Sequence, residues 1–67
     1  MATLKVIELL ASSDKSWEDA VKNAVKTASK TVKGIRSVYI QDQMAVVKDN
    51  NVIEFRVNAK VTFEVLD

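Results

Sequence analysis

Nine carboxylates and ten cationic side chains carry what chemistry this chain can do; it has neither histidine nor cysteine. Without those two residue types no Ser-His or Cys-His nucleophile can be assembled. Zinc and the transition metals lose their usual ligands, and disulfides are excluded. The acids are Glu8, Asp14, Glu18, Asp19, Asp42, Asp49, Glu54, Glu64 and Asp67. None follows the spacing of a calcium-binding EF-hand loop. No pair of them is singled out by a cleft-forming context of the kind two catalytic carboxylates need. One glycine and no proline leave no room for a glycine-rich phosphate loop or a linker. The sequence therefore predicts a protein that is not an enzyme.

The cations suggest a second kind of chemistry. Lys22, Lys26, Lys30 and Lys33 share one helical face, and a basic stripe can hold phosphates. No aromatic residue interleaves with them, and the net charge is only +1. The expected role is a solvated face, with Glu18 and Lys22 as an i,i+4 pair. Neither nucleic acid nor a membrane is an expected partner. No apolar run approaches the roughly 20 residues of a membrane span. The first thirteen residues carry Glu8 within their apolar run and make a poor signal peptide. The expected location is the cytoplasm.

The elements that position these groups follow from periodicity. From Val52 to Leu66 every odd position is apolar (Ile53, Phe55, Val57, Ala59, Val61, Phe63, Val65), with polar residues between. That period of two predicts one strand of about 45 Å, with a greasy face and a polar face. Leu4 to Ala11 predicts another strand, apolar on both parities and therefore covered on both sides. Ser12 to Lys15 is a polar break, and Ser16 is the expected helix N-cap, with Asp19 three residues on as an acidic capping-box partner. Trp17, Ala20, Val21, Ala24, Val25, Ala28 and Val32 then form one helical stripe, closed by Gly34 as a left-handed cap. Ile35 to Lys48 predicts a strand in which Val38, Ile40 and Met44 share the apolar parity. Asp42 falls on that parity too, so either a bulge re-aims it or it is a partly buried acid with a partner. A two-residue turn at Asp49-Asn50 or Asn50-Asn51 joins this strand to the last.

The predicted fold is α+β: β-α-β-β in one domain over residues 1–67, a three-stranded antiparallel sheet curled around one helix. A chain of 67 residues buries only about 60% of its unfolded surface, which leaves stability marginal. With disulfides and zinc excluded, oligomerisation is the remaining support. One helix covers one face of the sheet. The other face is expected to meet further copies of the chain.

This layout, with the runs KVIELLASS, SWEDAVKNAV, IQDQ at Ile40 to Gln43 and FRVNAKVTFEV from Phe55, resembles the dodecin family over almost the whole chain. The resemblance implies a hollow homododecamer that stores or sequesters a small molecule. Many members bind stacked flavins between subunits, using a tryptophan on the second strand and a glutamine on the third. Here those positions fall at Ser37 and Arg56. Loss of an aromatic platform removes about 0.5–1.5 kcal/mol per stacking contact beyond area burial, and Arg56 replaces a neutral amide with a permanent cation. Strong flavin binding is therefore not expected. SWE at the helix start, IRSVYIQDQMAV and Arg56 resemble the calcium dodecin branch better, which implies Ca²⁺ as ligand, with Asp42 as first candidate. Tyr39 shares the polar parity of Ser37; it is expected to pack at an interface, or to offer an aromatic surface in place of the missing tryptophan. Arg56 is expected to pair with Glu54, Glu64 or Asp42, or to hold an anionic ligand group.

The sequence thus predicts an intersubunit ligand site at Ser37, Tyr39 and Arg56 and a metal position at Asp42. Two other readings remain: a flavin-storing dodecin using Tyr39, and an assembly module without a ligand.

Overall fold

The computed structural model describes residues 3–65. Four elements follow in order: β1 (Thr3–Ser13), α1 (Trp17–Ala28), β2 (Ile35–Lys48) and β3 (Asn51–Val65). The strands form one antiparallel sheet, as the β-α-β-β reading expects, and their order is β1-β3-β2. The alternating strand is the central one. Its odd residues Val57, Ala59 and Val61 are buried against Ala20, Ala24 and Ala28 of α1. Alanine on one side and valine on the other let helix and sheet approach closely, which is how so small a core is filled. Leu66, the expected end of the strand, lies outside the described residues.

The corner between β1 and α1 is tied by hydroxyls. Ser16 caps the helix by accepting from the Asp19 amide at 3.0 Å. The Asp19 carboxylate does not return to Ser16 as a capping box would; it accepts from Ser13 Oγ at 2.6 Å. Ser13 is buried, and its Oγ also accepts from the Lys15 amide at 2.9 Å. This knot carries β1 two residues into the polar break expected at Ser12, where Ser12 and Ser13 pair with Arg56 and Phe55.

The helix ends earlier than its spacing suggests. Ser29 is the C-cap, and the Ser29 and Thr31 hydroxyls donate to the carbonyls of Lys26 and Ala28. These side chains compete for the carbonyls that would continue the helix. Gly34 is left-handed at φ +73°, but it opens β2 and accepts from the Glu64 amide at 3.0 Å instead of capping α1. Glu18 and Lys22 form no ion pair; among the described residues the pairs are Arg36–Glu64 and Arg56–Glu54.

The hairpin turns at Asp49 and Asn50, both at positive φ (51° and 64°), the two-residue turn whose twist matches the strands. β2 then runs against β3 with register shifts at Arg36, Gln41 and near Val47. Gln41 is left without a partner between Ile40, opposite Ala59, and Asp42, opposite Asn58. The bulge resolves the odd parity of Asp42 by turning it to the face away from the helix. It also carries Met44 there, opposite Arg56, instead of leaving it beside Val38 and Ile40 as its parity suggests.

One face of the sheet stays bare. Leu4, Val6 and Leu10 of β1 point away from α1, Leu10 with 83% of its surface exposed. Tyr39 and Met44 are exposed on the same face of β2. The radius of gyration is 13.6 Å, against about 11 Å for a compact domain of this length. The accessible surface is 5132 Å², against about 4,200 Å² for a monomer of this mass. The excess is close to the ~800 Å² that one partner contributes to an ordinary interface.

Val61 is fully buried at the centre of the helix–sheet contact. Val61→Asp places an unpaired carboxylate there and is expected to destabilise the chain by about 4 kcal/mol or more. Circular dichroism should show no cooperative melt; a variant that melts near wild type would refute this core.

Candidate functional site

Two arrangements of polar groups lie toward opposite ends of the bare face. At one end a hollow of about 460 Å³ is lined by Leu10, Ala11, Ser12, Asp42, Met44, Glu54, Arg56, Val57 and Asn58. The register explains the gathering. On β3, residues 54, 56 and 58 share the outward parity; Ser12 and Leu10 of β1 lie opposite Arg56 and Asn58. The Gln41 bulge brings Asp42 and Met44 into line on the other side. Above the same end, Trp17 stacks edge-on against Phe55 at 5.0 Å, and its Nε1 donates to the Met44 carbonyl at 3.1 Å. The helix start therefore braces β2 behind the hollow.

Arg56 Nε donates to Glu54 Oε1 at 3.0 Å, the first of the three partners expected for it. That bond holds the Glu54 carboxyl below the ordinary glutamate range; a smaller push in the same direction comes from Ser12, and partial burial opposes both. Both side chains keep part of their surface in solvent, so the pair fixes geometry more than it stabilises the fold. Asn58 is different. Its Oδ1 is buried without a hydrogen-bond partner among the described residues. Leaving such an acceptor unpaired costs about 1–3 kcal/mol, a cost usually tolerated where something else is meant to donate.

The hollow brings together two of the four residues singled out from the sequence, Asp42 and Arg56. Ser37 and Tyr39 lie on the same face but toward the other end, opposite Thr62 and Lys60. Thr62 is six residues from Arg56, about 20 Å along the strand. One copy of the chain cannot close a pocket around both Ser37 and Arg56. Asn58 is not legible in the sequence as a site residue: an amide on the polar parity of a strand reads as solvent-facing, and its burial arises only where three strands converge. At the far end, Arg36 of the first bulge pairs with Glu64, which raises the guanidinium pKa further.

Comparison with known proteins places this geometry. A family model described as Dodecin matches residues 3–66. The calcium dodecin of Mycobacterium tuberculosis is 33% identical over 64 residues, covering 96% of this chain and 90% of that protein. A crystal structure of that protein, described as a calcium chelating immunodominant antigen with a novel calcium-binding site, superposes with a TM-score of 0.83 at 31% identity, covering 96% of this chain and 91% of that one. The dodecin of Streptomyces coelicolor superposes with a TM-score of 0.94 at 26% identity, covering 98% of this chain and 94% of that one.

Replacing Arg56 by Gln removes the main cause of the low Glu54 pKa. In a carboxyl-carbon NMR titration the Glu54 midpoint is expected to rise toward the ordinary glutamate value. The sign follows from linkage: a depressed carboxylate contributes stability at neutral pH and loses it as pH falls through its folded-state value. An unmoved midpoint would show that the Arg56–Glu54 bond does not form in solution.

Proposed function

The chain belongs to the dodecin family, and from that premise we propose that it is a non-enzymatic, self-assembling shell protein, a hollow homododecamer, that binds or stores a small ligand or ion without strong flavin binding. The observation that carries the shell is the bare sheet face. Leu4, Val6, Leu10, Tyr39 and Met44 form an apolar surface that a chain this small cannot cover from within. The separation of Ser37 from Arg56 supports a site shared between subunits. In this reading Arg56 and Asp42 contribute from one copy, while Ser37 and Tyr39 contribute from another.

Calcium is the ion to test, because a relative bears that name. Ca²⁺ takes six to eight oxygens. Among the described residues no three acids converge on one point. The carboxylates of Asp42 and Glu54 and the amide oxygen of Asn58 line one hollow and have suitable chemistry, but Glu54 is engaged by Arg56. These residues fit only as part of a calcium centre, completed by water or by a second subunit, with Asp42 as its first ligand.

Ser37 and Arg56, standing where flavin-binding members of the family are implied to carry tryptophan and glutamine, argue against flavin. Tyr39, 65% exposed on the same face as Ser37, keeps a flavin-storing shell as the second reading. Among the described residues no helix is long and apolar enough to cross a membrane. We assign the protein to the cytoplasm on the sequence expectation.

A fluorescence-quenching titration with riboflavin and FMN is expected to show no submicromolar binding; a submicromolar constant would favour the flavin-storing shell. Calorimetry with Ca²⁺ is expected to give heat, and the melting temperature should rise relative to chelator-treated protein. No heat and no shift would leave a purely structural module.

A further inference from the structure

Charge is unevenly distributed along this chain. Between Asp19 and Asp42 lie five cations (Lys22, Lys26, Lys30, Lys33 and Arg36) and no acid; the rest of the chain carries five cations and nine acids. Arg36 is taken by Glu64. The four lysines are exposed, and none is in an ion pair among the described residues. Ala20, Ala24 and Ala28 turn one face of α1 to the sheet, and Lys22 and Lys26 stand on the opposite face, about 6 Å apart along the axis. Lys30 and Lys33 follow in the turn beyond the Ser29 cap. The helix dipole accounts for Lys26, which lies in the last turn, but Lys22 stands too far back for it. Glu18, one turn before Lys22, leaves it unpaired. Lys22 and Lys26 repel one another at their i,i+4 spacing, a cost that a bound anion removes.

We propose that this lysine stripe binds a flexible polyanion without bases, inorganic polyphosphate. The surface around the lysines selects among phosphate carriers. Between Lys22 and Lys33 no aromatic residue offers the stacking platform that single-stranded nucleic acid uses. No large apolar side chain is exposed there to enter a lipid surface. Duplex DNA, with a persistence length of about 50 nm, stays nearly straight across a particle of about 90 kDa and reaches few stripes at once. A polyphosphate chain needs no stacking and bends from one stripe to the next. Lysine suits it, because an ammonium is a point charge with three rotatable donors and tolerates the sliding register of a repetitive chain. In the proposed shell other copies cover the opposite side of the sheet, which leaves the helix face outward. A chain held by one stripe then meets the next at high effective concentration.

Fluorescence anisotropy of end-labelled long-chain polyphosphate, titrated with assembled wild-type protein, tests this. Saturable binding is expected at about 50 mM salt, weakening at least ~50-fold by about 200 mM, the fall that four neutralised phosphates give at a slope of about 0.7 each on a single chain. Lys22→Gln with Lys26→Gln should weaken binding at least tenfold and halve the slope of log Kd against log salt. Lys15→Gln with Lys48→Gln removes the same charge from exposed positions off the stripe and should leave the affinity within twofold. All four side chains are exposed, so both double variants should keep the wild-type circular dichroism and sedimentation. Equal losses from the two double variants overturn the stripe. Duplex DNA or phosphatidylserine vesicles that compete as well as unlabelled polyphosphate overturn the choice of partner. Failure of wild-type protein to bind while it sediments near 90 kDa overturns the proposal and leaves the shell standing. Failure to bind by protein that sediments at 7.5 kDa overturns both.

Discussion

A three-stranded sheet has two faces, and this chain has one helix. Everything else in the structure depends on that mismatch. α1 is only twelve residues long and meets β3 through Ala20, Ala24 and Ala28, so the buried core is a thin seam of alanine and valine. Such a seam supplies little apolar burial against the conformational entropy of ordering 67 residues. The face turned away from the helix carries leucines and valines that water opposes. In the shell proposed above, further copies cover this face and supply the missing burial. Assembly in that shell adds to a fold that the helix–sheet seam already specifies, and a ligand site on that face depends on both.

The bulge at Gln41 connects this economy to chemistry. A strict alternation along β2 would send Asp42 toward the helix, where an acid has no partner, and the core would fail. One unpaired residue reverses the parity of the residues beyond it. Asp42 and Met44 then join Arg56 and Asn58 on the open face, and a hollow exists where a regular sheet would be flat. Trp17 holds the shifted strand in place through the Met44 carbonyl and the edge of Phe55. The helix start thus steadies the site from behind without lining it.

Much of this fold is legible in the residue pattern alone. The odd parity of β3 marks its helix-facing residues, the two apolar parities of the first strand mark apolar side chains on both faces of the sheet, and Ser16 marks the helix start. Asp42 on an apolar parity announces the bulge as one of two solutions. Its consequence for Met44 is not legible, because parity downstream of a bulge depends on where the extra residue falls. Gly34 looks like a helix cap by spacing, yet Ser29 and Thr31 end the helix first, through side-chain hydrogen bonds that spacing does not reveal. Arg56 is legible as a paired cation, with Glu54 among its candidates. Asn58 is invisible, since the burial of its Oδ1 is a property of three strands together and of no single one.

In the proposed shell the bare face is an interface between copies of this chain. Sedimentation equilibrium at micromolar concentration, on the wild type and on Leu10→Glu, tests it most directly. Leu10 contributes nothing to the helix–sheet seam and stands almost free on the bare face. The expected wild-type mass is that of twelve 7.5 kDa chains, about 90 kDa, with Leu10→Glu shifted to smaller species at nearly unchanged far-ultraviolet circular dichroism. A wild-type chain that sediments at 7.5 kDa and still melts cooperatively would contradict the account.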